Sequence, residues 1–227
     1  MTQSEFKIIE NYMLLQMQDS AHDRYHVYRV LNAAVDIAEY EDMVDMDVLI
    51  AACLLHDIGR ERQFVDLENL CHAEIGGEMA YDFLISRQWH EQKALHVKEC
   101  VSTHRFRDDI KPQSIEAKIL FDADKLDVSG AIGIARTLLY EGQVREPLYV
   151  LDDDGHIIID GGGAEISSFF QEYNYKLKNI YDSLYTERAR EIASERQKIM
   201  TDFYNTLYNE ITSNKKYGIK NLRKEII

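Results

Sequence analysis

Four side chains at three distant places in this sequence have the types that hold a divalent cation: His26 in HDRYHVYRV, the pair His56-Asp57 closing the apolar run VLIAACLL, and Asp124 in FDADKLD. Imidazole nitrogens and carboxylate oxygens drawn from separate helices can ligate one ion and leave a position for water, the minimum equipment of a metal-assisted hydrolase. A lone histidine is weak evidence, because a surface or hydrogen-bonded core histidine is the commoner case. Asp57 is stronger evidence. An ionised carboxylate pointing inward directly after an apolar run is costly unless a cation or donors meet it.

The elements that must carry these residues read as helices. Phe6, Ile9, Met13, Leu14 and Met17 recur at helical steps, and Asp19-Ser20 interrupts that first helix. From Asp23 to about Tyr40, Val27, Val30, Leu31, Ala34 and Ile37 form a buried stripe, with His22, His26 and Arg29 along its flank. Val48 to His56 is apolar around its whole circumference, as a central helix surrounded by others should be, and Gly59 marks its C-terminal stop. Further helices are expected from His72, over Glu91 to His104, over Ser114 to Asp127, and over Gly130 to Tyr140; Leu95, Val97, Val101, Ile119 and Leu120 should face inward.

The run PLYVLDDDGHIIID places two β-prone stretches around an Asp-Gly turn and reads as a small hairpin at 148–160. Glycines 161–163 read as a linker, because a phosphate-cradling loop would want a buried strand before them and Lys-Ser or Lys-Thr after them. A long helical tail follows, with Ile192, Ile199, Phe203 and Leu207 as its apolar line.

Composition agrees with an all-α fold: 227 residues, 45% hydrophobic, with two prolines and eleven glycines. That is one domain's worth of chain and enough apolar material for a core. The net charge of −14 excludes a broad nucleic-acid surface, although a bound cation can reverse the local field in one pocket and admit a small anion. Three cysteines without metal-finger spacing point to a reducing compartment. With no secretory segment legible and no apolar run long enough to span a bilayer, a soluble, cytoplasmic protein is expected.

In order and spacing, His26-x-x-Arg29-Val30, Leu54-Leu55-His56-Asp57-Ile58-Gly59 and Ala123-Asp124-Lys125-Leu126 resemble the HD-domain superfamily of metal-dependent phosphohydrolases. That family's pattern is a His, a His-Asp pair and a distant Asp. His22-Asp23, the segment EAKILFDADKLDVSGAIGIART and the tail LYTERAREIASERQKIMTDF narrow the resemblance to the bacterial stand-alone YpgQ/YedJ-like group, over roughly residues 20–210. With the elements read above, one HD-type helical domain over 1–227 is expected, with a core at roughly 20–140, the hairpin at 148–160 and C-terminal helices at 164–215. The resemblance implies His26, His56, Asp57 and Asp124 as metal ligands, with Asp122 and Asp127 flanking the last. Such ligands suit Mn²⁺, Fe²⁺, Ni²⁺, Co²⁺ or Mg²⁺.

The same resemblance implies a small phosphorylated substrate, a nucleoside triphosphate cleaved to monophosphate and pyrophosphate, and a monomer or homodimer. His72 and His104 stand where binuclear relatives place ligands for a second metal; they serve equally as a helix-opening residue and a phosphate contact. Glu61 is a candidate base or a solvated glutamate, and Arg60 a phosphate clamp. Lys125 either neutralises charge on a transferred phosphoryl group or pairs with its neighbour Asp124. His22 is a pocket contact or a helix-start residue. Arg196, among alternating charges of the tail, reaches the pocket or belongs to a solvated face. Phosphomonoesterase or phosphodiesterase chemistry at the same site, and a nucleotide-sensing module without turnover, are the other readings.

Overall fold

Seven apolar side chains between Val48 and Leu55 are buried, and the helices of the first half arrange themselves around them. In this computed structural model, which describes residues 1–17, 24–60, 71–105, 111–161 and 168–226, that helix is α3 (Met46–Leu55). Asp45 caps it, accepting from the amides of Asp47 and Val48 and so satisfying two of the donors that every helix start leaves open. Around it lie α1 (Gln3–Gln16), α2 (Arg24–Ala38), α4 (His72–Ser86), α5 (Glu91–Ser102) and α6 (Ile115–Leu126). Helix α3 packs on all of them, and α2 also packs along α6.

The expected stripe of α2 is the buried one: Val27, Val30, Leu31, Ala34 and Ile37. On α5, Val97 and Val101 face in with Ala94, but Leu95 is 45% exposed, contrary to expectation. Its position, one residue past Ala94, turns it about 100° away from the buried line. Helix α4 lies close against α5, since a Cβ on Gly77 would meet Ser102 Oγ at 2.3 Å.

The remaining elements are α7 (Gly130–Val144), α8 (Phe169–Tyr175), a 3-10 turn at Leu177–Asn179, α9 (Ile180–Ser183) and α10 (Glu187–Glu225). By internal contacts the chain clusters into two units, Met1–Val128 with Ser183–Ile192, and Ser129–Asp182 with Ala193–Ile227. In the second unit α8 is held to α10 by aromatic packing: Phe169 on Phe203, Phe170 on Tyr204 and Tyr173 stacked on Tyr204. Ala193 and Met200 are buried while Ile199 is 49% exposed, so the inward line of α10 is not the expected one through Ile199.

The hairpin at 148–160 is not present as such. Leu151 and Ile157 form one isolated antiparallel bridge, and the described residues contain no strand. The chain does reverse at the Asp-Gly turn, where the amide of Ile158 donates to Val150 and that of Asp152 to His156. Ile157 is buried while its bridge partner Leu151 is 38% exposed, and a two-stranded ribbon without a third strand is marginal, so alternation alone does not extend the ladder. Glycines 162 and 163 lie outside the described residues, as does the Asp19-Ser20 break.

Candidate metal centre

Five buried side chains of the first unit converge beside the end of α3: His26, His56, Asp57, His72 and His104, each at most 2% exposed. The apolar run of α3 drives its own C-terminus inward, so His56 and Asp57 arrive in the core as the helix stops. The following turn runs against α4 so closely that a Cβ on Gly59 would meet the His72 carbonyl oxygen at 2.2 Å and the Gly76 amide nitrogen at 2.6 Å. Close backbone approach, rather than a left-handed cap, is why glycine occupies that position.

The donor atoms face one another. His26 Nε2 and His56 Nε2 are 3.2 Å apart, and each is 3.5 Å from Asp57 Oδ2. On the other side of the carboxylate, Asp57 Oδ1 is 3.5 Å from His104 Nε2 and 3.6 Å from His72 Nε2. His26, His56 and Asp57 thus form one set able to hold a metal, and Asp57, His72 and His104 another, each with ligand atoms within 4.8 Å of one another. Asp57 belongs to both.

Which ring nitrogens face the centre is fixed from behind. His56 Nδ1 donates to the Cys53 carbonyl at 2.8 Å and His104 Nδ1 to the Val101 carbonyl at 2.6 Å. A carbonyl can only accept, so these Nδ1 atoms carry hydrogens and the Nε2 lone pairs point at Asp57. His26 Nδ1 faces Asp127 Oδ2 at 2.6 Å, with the same consequence. Asp127, expected as a flanking ligand or pocket residue, therefore sits behind His26. Arg29 donates to both of its oxygens, from Nε at 2.6 Å and Nη2 at 2.9 Å.

Two facing imidazole nitrogens and a carboxylate cannot lie this close without positive charge between them. Burial pushes the His26 pKa down, but Asp127 and Asp57 more than offset that and hold it above the ordinary value, so a proton can occupy the gap. Burial lowers His56 to about 4 and, with the Arg60 charge, His72 to about 2, keeping both rings neutral and able to donate to a metal. For Asp57, burial acts upward, yet His56, which takes up a proton only in the acid range where this carboxyl would titrate, and the Arg60 charge hold it well below the carboxylate range. Neither Asp57 oxygen accepts a hydrogen bond. Arg60 Nε is 2.6 Å from Asp57 Oδ2, but its N–H does not point along that line, so the contact is an ion pair only.

A less buried rim adjoins this cluster. One Asp124 oxygen lies 3.5 Å from His26 Nε2 and the other 2.9 Å from Lys125 Nζ. Asp124 is thus beside the first set without being one of its mutually close members. Burial would raise its carboxyl, and Lys125 followed by His26 brings it well below the usual range. Lys125 also reaches the His104 carbonyl at 3.5 Å and lies over the Phe121 ring. Asp122 faces elsewhere: it is fully buried and accepts from the amides of Tyr185 and Thr186 and from Thr186 Oγ, tying the segment before α10 to α6.

Arg196 belongs to the second unit, where its stem runs past Gly130, whose positive φ of 67° favours glycine. His22 and Glu61 lie outside the described residues. Sequence reasoning passed over Arg29 as a structural partner and offered Asp127 as a flanking ligand without its hydrogen bond to His26 Nδ1. The signal available was the three-residue spacing of His26 and Arg29, which puts both on one face of α2.

The HD domain family model matches residues 24–129. YpgQ of Bacillus subtilis (strain 168), itself uncharacterized, is 30% identical over 202 residues, which is 87% of this chain and 88% of YpgQ. The structure of Bacillus subtilis YpgQ in complex with ADP matches with a TM-score of 0.68 at 28% identity, over 91% of this chain and 97% of that one. An HD-superfamily hydrolase from Bacillus thuringiensis matches with a TM-score of 0.66 at 27% identity, over 92% and 98%. The chain belongs to the HD-domain superfamily of metal-dependent phosphohydrolases, in the group similar to YpgQ. No helix among the described residues is long and apolar enough to cross a membrane.

Proposed function

We propose that the protein is a nucleoside triphosphate pyrophosphohydrolase that uses a divalent cation held by His26, His56, Asp57 and Asp124. The observation that carries the metal reading is Asp57: a buried carboxylate with no hydrogen bond to either oxygen, ringed by imidazole Nε2 atoms. Nitrogen and carboxylate donors of this kind suit Mn²⁺ and its first-row neighbours as well as Mg²⁺. A cation bound there supplies Lewis acidity and makes a water acidic enough to yield a nucleophile near neutral pH.

The chain's own groups then divide the work. His26 and His56 present lone pairs whose direction Asp127 and Cys53 have fixed. Arg60 and Lys125, cations at the rim beside Asp57 and Asp124, turn to the triphosphate and offset charge on the departing pyrophosphate. Water adds at the α-phosphorus, the bond from that phosphorus to the bridging oxygen breaks, and monophosphate and pyrophosphate leave. Glu61 is the proposed proton acceptor by position alone. Support for a nucleotide comes from the ADP in the complex of similar YpgQ.

A second reading adds another cation between Asp57, His72 and His104, because those atoms form a set of their own that shares Asp57 with the first. Metal content per chain, measured on protein purified without chelator, separates one ion from two. For the reaction, purified protein with Mn²⁺ is assayed against NTPs, dNTPs, monophosphates and cyclic dinucleotides. Equimolar monophosphate and pyrophosphate from triphosphates is the expected result. Orthophosphate from monophosphates, or opening of cyclic dinucleotides alone, would replace it with a phosphatase or phosphodiesterase; tight nucleotide binding without product would make the site a sensor.

A further inference from the structure

We infer that Arg29 and Asp127 are the positioning pair of this centre: they fix His26 through its far nitrogen and thereby set how tightly the cation is held. The inference rests on His26 being a ligand, as proposed above. Three histidines of the cluster are anchored through Nδ1, but not alike. His56 and His104 donate to main-chain carbonyls, whereas His26 donates to a carboxylate that is 5% exposed. A carboxylate is the stronger acceptor; it draws the Nδ1 hydrogen and raises the electron density at Nε2, so the ring becomes a better metal donor.

Arg29 explains why Asp127 stays in that role. Its Nε and Nη2 take the two oxygens separately, at 2.6 and 2.9 Å, and a fork of this kind fixes the plane of the carboxylate as well as its charge. The plane so fixed aims Oδ2 along the His26 ring. Asp127 is therefore held away from the ligand side of His26, and Asp124, three residues earlier on α6, is left to approach it from the front at 3.5 Å.

The test compares three variants with the wild type, using competition against a chromophoric chelator to measure Mn²⁺ affinity, and melting of the chelated protein to report the fold. Asp127→Asn keeps the shape but must turn its NH₂ toward either His26 Nδ1 or Arg29, donor against donor. Its Mn²⁺ affinity is expected to fall about 10- to 100-fold, with activity recovering as Mn²⁺ is raised. Arg29→Gln, on a residue whose side chain is 36% exposed, should shift affinity the same way by less. His26→Ala should lose the site. Wild-type affinity in Asp127→Asn alongside loss in His26→Ala overturns the positioning role while leaving the ligand assignment standing; wild-type affinity in His26→Ala overturns the assignment beneath it. Should Asp127→Asn fail to fold, Arg29→Gln decides on the same scale, an unchanged affinity overturning the role.

Discussion

Replacing Asp57 by Asn removes one charge at constant shape from the point where both candidate ligand sets meet. A unit charge about 4 Å from a unit countercharge is worth about 4 kcal/mol at an effective dielectric near 20, which is roughly a thousandfold in affinity. For wild-type protein in metal at about 100 times its dissociation constant, binding adds about 2.7 kcal/mol to stability. At about 2–4 °C per kcal/mol for chains of this size, the melting point should rise by roughly 5–11 °C. In Asp57→Asn the same concentration is only about a tenth of the weakened constant, so the rise should vanish. The chelated variant should melt within a few degrees of the chelated wild type, because Arg60, whose side chain is 25% exposed, can turn to water once its partner is neutral. Differential scanning fluorimetry with EDTA and with Mn²⁺ gives all four numbers. A metal-induced rise that survives in the variant would refute the reasoning, since it would place the cation elsewhere.

Two other outcomes follow from the fold. Gly59→Ala must push a methyl into the His72 carbonyl, so the turn and α4 have to separate; a loss of about 1–3 kcal/mol in chemical denaturation is expected, together with weaker metal binding, and a neutral result would mean that the turn is looser than described. Glu141 is buried with neither oxygen hydrogen-bonded; burial first, and then the charges of Glu146 and Glu172, raise its pKa to about 7. Because the folded pKa lies above the unfolded one, the stability linked to this group is complete below about pH 4.5 and is lost as pH rises through about 7. Glu141→Gln should accordingly match wild type near pH 4.5 and exceed it by about 1–3 kcal/mol at pH 8 in urea melts; a difference that does not change with pH would show that the carboxyl does not titrate there.

Much of the core was legible because periodicity and burial coincide on α2, and because an all-round apolar α3 has nowhere to go but the centre. Where the reading failed, a second surface decided. Leu95 and Ile199 are large and apolar, yet their angular positions leave them outside while their neighbours in the chain, Ala94 and Met200, meet the packed face. The β-prone run at 148–160 turns back on itself as read, but strand formation depends on partners that the local sequence does not contain.

The sequence by itself determined the chemistry on offer: which residues are imidazoles and carboxylates, that one carboxylate follows an apolar helix into the interior, and that the order His, His-Asp, Asp resembles one superfamily. Only the tertiary structure decided how those groups are used. It put Asp127 behind His26 and Asp122 under the segment leading into α10, and it made Asp57 the shared member of two ligand sets. The reason is geometric. Residues at 122, 124 and 127 are two and three steps apart on one helix, about 200° and then 300° around its axis, so which of them faces the histidines depends on how α6 is rotated against α2 and α3, and that rotation is set by packing between elements far apart in the chain.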